Sequence, residues 1–142
     1  MFFQKKLGQL SIADIAISSF LKKMFEEGGK IKIVIEEVPP SLNVLLRLHW
    51  AERRKLQERW DDLIFAGAWR SGWRKKDPYF KEVSITYQFR NIRKRDRDNF
   101  APKIIMDSLQ RNGIIEGDSP EEVSYDWSFK SGPSDRTIIE LS

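Results

Sequence analysis

The chain has 142 residues, the length of one domain, and no cysteine, which excludes a disulfide framework and any thiolate metal site. Its single histidine, His49, excludes a multi-histidine zinc centre, so a bound metal would be a hard cation on oxygen ligands, magnesium or manganese. The net charge of +4 is uneven: residues 1–97 hold 21 of the 25 Lys/Arg and 12 of the 21 Asp/Glu, whereas residues 98–142 hold four basic and nine acidic residues. A basic body with a local acidic pocket suits a phosphodiester substrate, although unevenly solvated charge is the plainer alternative.

In chain order, Ile12, Ala16, Phe20 and Met24 recur every four residues, with Ile17 and Leu21 alongside. That spacing predicts an amphipathic helix from about Ile12 to Glu26, stopped at Gly28-Gly29. Asp14 interrupts the apolar run, so this is neither a signal peptide nor a membrane span. Ile31 to Glu36 is β-branched and partly alternating, which predicts a strand ended by Pro39-Pro40, with Ser41-Leu42-Asn43 as a turn. A helix is expected from near Leu48 to Trp69, with Leu56, Trp60, Leu63 and Ile64 as its apolar stripe. Trp60, Trp69 and Trp73 are expected in the core rather than as base-stacking platforms. The basic stretch from Arg70 to Lys76 follows, then a turn at Asp77-Pro78.

Val83 to Arg90 alternates over eight residues and predicts a strand. A helix is expected from about Ala101 to Asn112, burying Ile105 and Leu109 and closed by Gly113 as its C′ residue. Ile114-Ile115 reads as a short strand or a core anchor. Val123 to Lys130 and Thr137 to Leu141 read as two closing strands, hinged at Ser131-Gly132-Pro133. The expected fold class is α+β, a mixed α/β chain ordered β-α-β-α-β-β after an N-terminal helical extension over residues 1–30. No repeat, low-complexity segment or linker divides it.

The stretch from Arg95 to Leu109 carries the chemistry. Asp96 and Asp98 stand two apart, so an extended backbone sends both side chains from one face. Asp98 or Asn99 is placed to cap a helix starting near Pro102. Lys103 then lies in its first turn, with Asp107 four residues on along the same face. With Asp118 brought in from the next loop, the carboxylates would form an open acidic site for a divalent metal. Lys103 would bind a phosphate or offset developing charge. Arg93, Lys94, Arg95 and Arg97 would carry flanking phosphates, with Lys75 and Lys76 as further DNA contacts. Each element has a plainer reading: caps and ion pairs for Asp96 and Asp98, an i,i+4 salt bridge for Lys103 and Asp107, a loop turn for Asp118-Ser119-Pro120.

The order Asp96-x-Asp98-Asn99, then Lys103, Asp107-x-Leu109, Gly113-Ile114-Ile115 and Asp118-Ser119 resembles the RusA family of Holliday junction resolvases, including its prophage-encoded members. Pro39-Pro40-Ser41-Leu42-Asn43 is similar to the family's proline-rich opening. The likeness runs from about Ile31 to the C-terminus. It implies a homodimer whose subunits each supply one magnesium site, with manganese as a possible substitute, and which nicks four-way DNA junctions symmetrically. By resemblance Asp96, Asp98 and Asp118 hold the metal and are catalytic, Lys103 matches the family's essential lysine, and Asn99 and Asp107 are supporting groups. Two departures stand out: one extra residue between Asp98 and Lys103, and Gly117 where the family often has a second Asp. Glu116 is a candidate to compensate. The function expected is a cytoplasmic crossover junction endonuclease in DNA recombination and repair. Alternatives are an inactive branched-DNA-binding module, or a metal nuclease preferring flaps or forks.

Overall fold

The computed structural model describes residues 29–91 and 93–142; the helix expected over Ile12–Glu26 lies outside them. In order they form β1 (Ile31–Ile35), α1 (Leu42–Arg47), α2 (Trp50–Arg70), β2 (Glu82–Phe89), a 3-10 turn (Arg97–Phe100), α3 (Lys103–Arg111), β3 (Ser124–Ser131) and β4 (Arg136–Leu141). The mixed α+β class and every strand expected after residue 30 are present, each within a residue or two of its expected ends. Ser41-Leu42-Asn43 is not a simple turn. Ser41 caps the short α1, its Oγ accepting from Val44 N at 3.4 Å, so the serine starts a helix that the prolines had obscured.

The four strands make one sheet in the order β1-β4-β2-β3. β1 and β2 flank β4 antiparallel, with Ile33 and Ile85 both opposite Ile139. β2 and β3 are parallel, Ile85 opposite Trp127, which requires the long crossover through α3. The closing strands β3 and β4 therefore do not pair with each other: β2 lies between them. Their connection runs over the end of β2, where Gly132 N donates to Phe89 O and Arg90 N donates to the Asp135 carboxylate at 2.8 Å. Gln88 is buried under this strap and donates to Ser134 O at 2.8 Å.

One sheet face bears the core. Ile31, Ile33 and Ile35, Ile139 and Leu141, and Val83, Ile85, Tyr87 and Phe89 alternate onto it and meet Trp60, Ile64 and Ala68 of α2 and Ile105 and Leu109 of α3. Gly67 lets α2 approach β1, because a Cβ there would collide with the Ile33 side chain. Ile114 and Ile115 are buried core anchors rather than a strand. Trp60 and Trp73 are buried as expected, but Trp69 is 40% exposed. It stacks on Phe65 at 5.9 Å under the Arg74 guanidinium, because it falls off the buried stripe at the end of α2. On the opposite sheet face, Lys32, Ser84, Asp126 and Glu140 are exposed. Among the described residues no helix is long and apolar enough to cross a membrane.

Candidate functional site

After β2 the chain turns back through the basic run and winds one 3-10 turn before α3. Asp96 starts that turn: its backbone is extended and its side chain accepts from Asp98 N at 3.1 Å. Neither Asp98 nor Asn99 caps α3. Pro102 occupies that position, without a side-chain cap, because Asp98 and Asn99 lie within the 3-10 turn that precedes the helix. Asn99 does other work. Its Oδ1 accepts from Asn43 N at 2.9 Å, clasping the proline-rich opening to the acidic turn across 56 residues. Phe100 anchors the turn below, packed at ring distances of 5.5–6.0 Å on Phe89, Phe129 and Tyr87.

The arginines of the run divide into two kinds. Arg97 lies flat on the Trp127 ring at 3.9 Å, donates to Trp127 O at 3.1 Å and pairs with Asp126, while Trp127 Nε1 donates back to Arg97 O at 2.9 Å. Arg95 covers the Phe89 ring at 3.7 Å and donates to Asn91 O at 3.1 Å. Desolvation lowers the Arg95 pKa, Arg93 adds to this and Asp135 opposes it; the guanidinium stays charged at neutral pH. Both side chains brace the turn. Arg93 and Lys94 are exposed, as are Lys75 and Lys76. The last two follow α2, whose 21 residues span about 30 Å, so they lie a helix length from its N-terminal end.

Asp96 and Asp98 are exposed and have no ion-pair partner among the described residues. The plain surface-pair reading is not met among the described residues, whereas the plain cap reading holds for Asp96, which caps the 3-10 turn. Lys103, in contrast, forms the i,i+4 ion pair with Asp107 at 3.4 Å. Asp118 is exposed in the turn leading to β3, and among the described residues no three Asp, Glu or His side chains gather closely enough to hold a metal. The backbone expected to be extended through Asp96 and Asp98 instead enters the 3-10 turn at Arg97, so the two-residue spacing does not put both side chains on one face. As exposed carboxylates they still suit a hard cation. Magnesium is commonly held by one or two carboxylates together with waters and substrate phosphates rather than by a full protein cage.

At the Gly117 departure, the exposed Glu116 is turned to Lys81, with which it pairs at 3.7 Å. Instead the Glu122 carboxylate fills the space that a side chain at position 117 would need. Ser119 Oγ donates to it at 2.6 Å, holding the acidic group against Gly117. Glu122 escaped the sequence reading because it belongs to a loop with no periodicity. The Ser119 to Glu122 spacing of a capping pair was the available signal.

α3 is locked on α2 by a polar cluster that composition alone does not announce. The Asp61 carboxylate accepts from Ser108 Oγ at 2.6 Å and Arg111 Nε at 2.8 Å. Gln57 Nε2 donates to Ser108 Oγ and Ile104 O, and Asn112 Nδ2 donates to Asp61 O. This cluster sets the direction of α3, and with it the position of Lys103 at its start. Comparison with protein-family models and with curated protein sequences finds no match for this chain.

Proposed function

We propose that this chain is a magnesium-dependent, structure-selective DNA endonuclease that nicks four-way junctions, as the likeness of its motifs to the RusA family implies. The observation that carries this is the pair Asp96 and Asp98, exposed and unpaired inside a basic run whose nearest arginines are occupied by rings and backbone carbonyls. Two exposed carboxylates with one residue between them leave a hard cation free to take its remaining ligands from water and phosphate. The Asn43–Asn99 clasp adds support, because it joins the two stretches that carry the likeness.

Asp96 and Asp98 would hold the cation with waters and phosphate oxygens, and Asp118, which is not gathered with them among the described residues, would complete the site when DNA binds. Bound magnesium supplies an activated water and offsets charge on the phosphate. Arg93 and Lys94 draw in flanking phosphates. Lys103 offers its ammonium to a phosphate oxygen by exchanging Asp107 for the stronger anionic partner. Two symmetric cuts call for two equivalent sites, hence a homodimer, and a cytoplasmic location follows from the substrate.

The test is cleavage of a synthetic four-way junction, with a fork and a linear duplex alongside, in magnesium and in EDTA. Symmetric nicks in the junction with magnesium alone are expected. Faster cutting of the fork would make this a fork or flap nuclease. A second reading, an inactive branched-DNA-binding module, is favoured by the lack of a gathered acidic trio among the described residues. Tight junction binding with no nicking in magnesium or manganese would establish it.

A further inference from the structure

We propose that the groove between the N-terminal half of α2 and α3 receives an unpaired nucleotide of branched DNA, with the Trp50 indole stacked on its base. This rests on the DNA-directed reading above and names the part of the substrate that this side of the site recognises.

Trp50 is the first residue of α2 and is 63% exposed, whereas Trp60 and Trp73 of the same region are buried. Nothing in the fold requires an indole there: the helix start is already capped by His49, whose Nδ1 accepts from Ala51 N at 3.2 Å. The His49 ring lies 5.4 Å from that of Trp50, tilted by 37°, and Trp50 is the aromatic ring that lines the groove. The groove is an open depression of about 580 Å3 whose lining includes the buried Leu45 and Ile104. Arg53, Arg54, Lys103 and Arg111 line it, against the carboxylates of Glu58 and Asp107. Arg54 and Lys103 hold those two carboxylates through exposed, exchangeable pairs at 3.2 and 3.4 Å. Arg53, next to the indole, has no ion pair among the described residues.

Arg111 is held by Asp61, so the groove offers the Arg53 guanidinium and two exchangeable cations. Beside an exposed aromatic face and two apolar side chains, this is the chemistry that binds a nucleotide, base on ring and phosphate on guanidinium. In a linear duplex every base is paired and stacked, so its faces are closed to an indole. At a branch point a base can leave the stack. Trp50 therefore discriminates branched from linear DNA by a mechanism that phosphate contacts alone do not provide. Lys103 lines this groove and starts the helix that follows the acidic turn, so the groove begins at the helix end next to that turn in the chain.

The experiment is equilibrium binding of the full chain, in EDTA so that nothing is cut, to a linear duplex and to a fork of the same sequence. The fork carries 2-aminopurine at the first unpaired position. Trp50→Ala is expected to weaken fork binding about tenfold and duplex binding less than about threefold, with Trp50→Phe close to wild type. Wild type should quench the 2-aminopurine, and Trp50→Ala should not. Arg53→Glu should weaken fork binding as well, which gives a second variant should the first fail to fold. Equal fork affinity for wild type and Trp50→Ala, an equal loss on duplex and fork, or a fall in sedimenting mass marking Trp50 as a subunit contact would overturn the proposal. Because no cutting is read, a chain that binds forks through Trp50 but never nicks keeps the groove and loses only the nuclease. A chain that nicks junctions but ignores the Trp50 change loses only the groove.

Discussion

Arg97 and Arg93 lie four residues apart in one basic run, yet the fold spends them differently. Both are exposed, but Arg97 is held by a ring, a carbonyl and a carboxylate, whereas Arg93 has no ion pair among the described residues. Arg93→Ala or Lys94→Ala should lower the slope of log affinity against log salt by about 0.9 each, the value for one lost phosphate contact. Arg97→Ala should leave that slope nearly unchanged and cost about 1–2 kcal/mol of folding stability, read by urea unfolding, through the lost stacking and backbone bond. A salt slope that moves as much for Arg97 as for Arg93 would contradict the division. The aspartates separate in a similar way. Asp96→Asn keeps an oxygen to accept from Asp98 N, so it should abolish magnesium-dependent nicking while leaving stability and junction binding intact. Asp96→Ala should lose nicking and about 1 kcal/mol of stability together. Asp98→Asn and Asp118→Asn should likewise bind without cutting.

At the level of elements, α3 matters because its direction aims Lys103. Its buried stripe holds it to the sheet, but a stripe permits sliding, and the cluster around Asp61 removes that freedom. Asp61→Ala leaves Ser108 and Arg111 without their acceptor and should cost about 2–3 kcal/mol in urea unfolding. Cutting should fall by more than the unfolded fraction explains, because Lys103 moves with the helix. Gly67→Ala should cost about 1–3 kcal/mol, since the added methyl must push α2 away from Ile33. A neutral Gly67→Ala would mean the helix has room to give.

For the whole molecule, the basic body and acidic region read from composition resolve into a sheet with helices on one face and exposed charged side chains on the other. Symmetric cutting of a junction requires two acidic turns presented together, so the active species should sediment at twice the 16.7 kDa chain mass. A monomer that nicks both strands with matched timing would break that link. Removing the metal with EDTA should stop nicking and leave branched-DNA binding in place, because the phosphate contacts come from side chains. Binding that collapses together with nicking would instead mean that the metal holds the substrate.

Periodicity was enough to reveal the strands, the long helix α2 and the buried stripe of α3, because these depend on neighbours two to four residues away. Gly113 was legible for the same reason: it stands at φ +75°, ending α3 where a side chain would be strained. The acidic stretch was legible as a cluster of residue types in order. Partner choice was not, since it depends on what the chain meets at long range. The sequence did not reveal that β2 slips between β3 and β4, that Asn99 reaches Asn43, or that Glu122 stands beside Gly117. Nor did it say which arginines would be consumed by rings, or that Trp50 would stand in water while Trp60 is buried. Local spacing decides which face a side chain leaves from, and only the packed whole decides what it finds there.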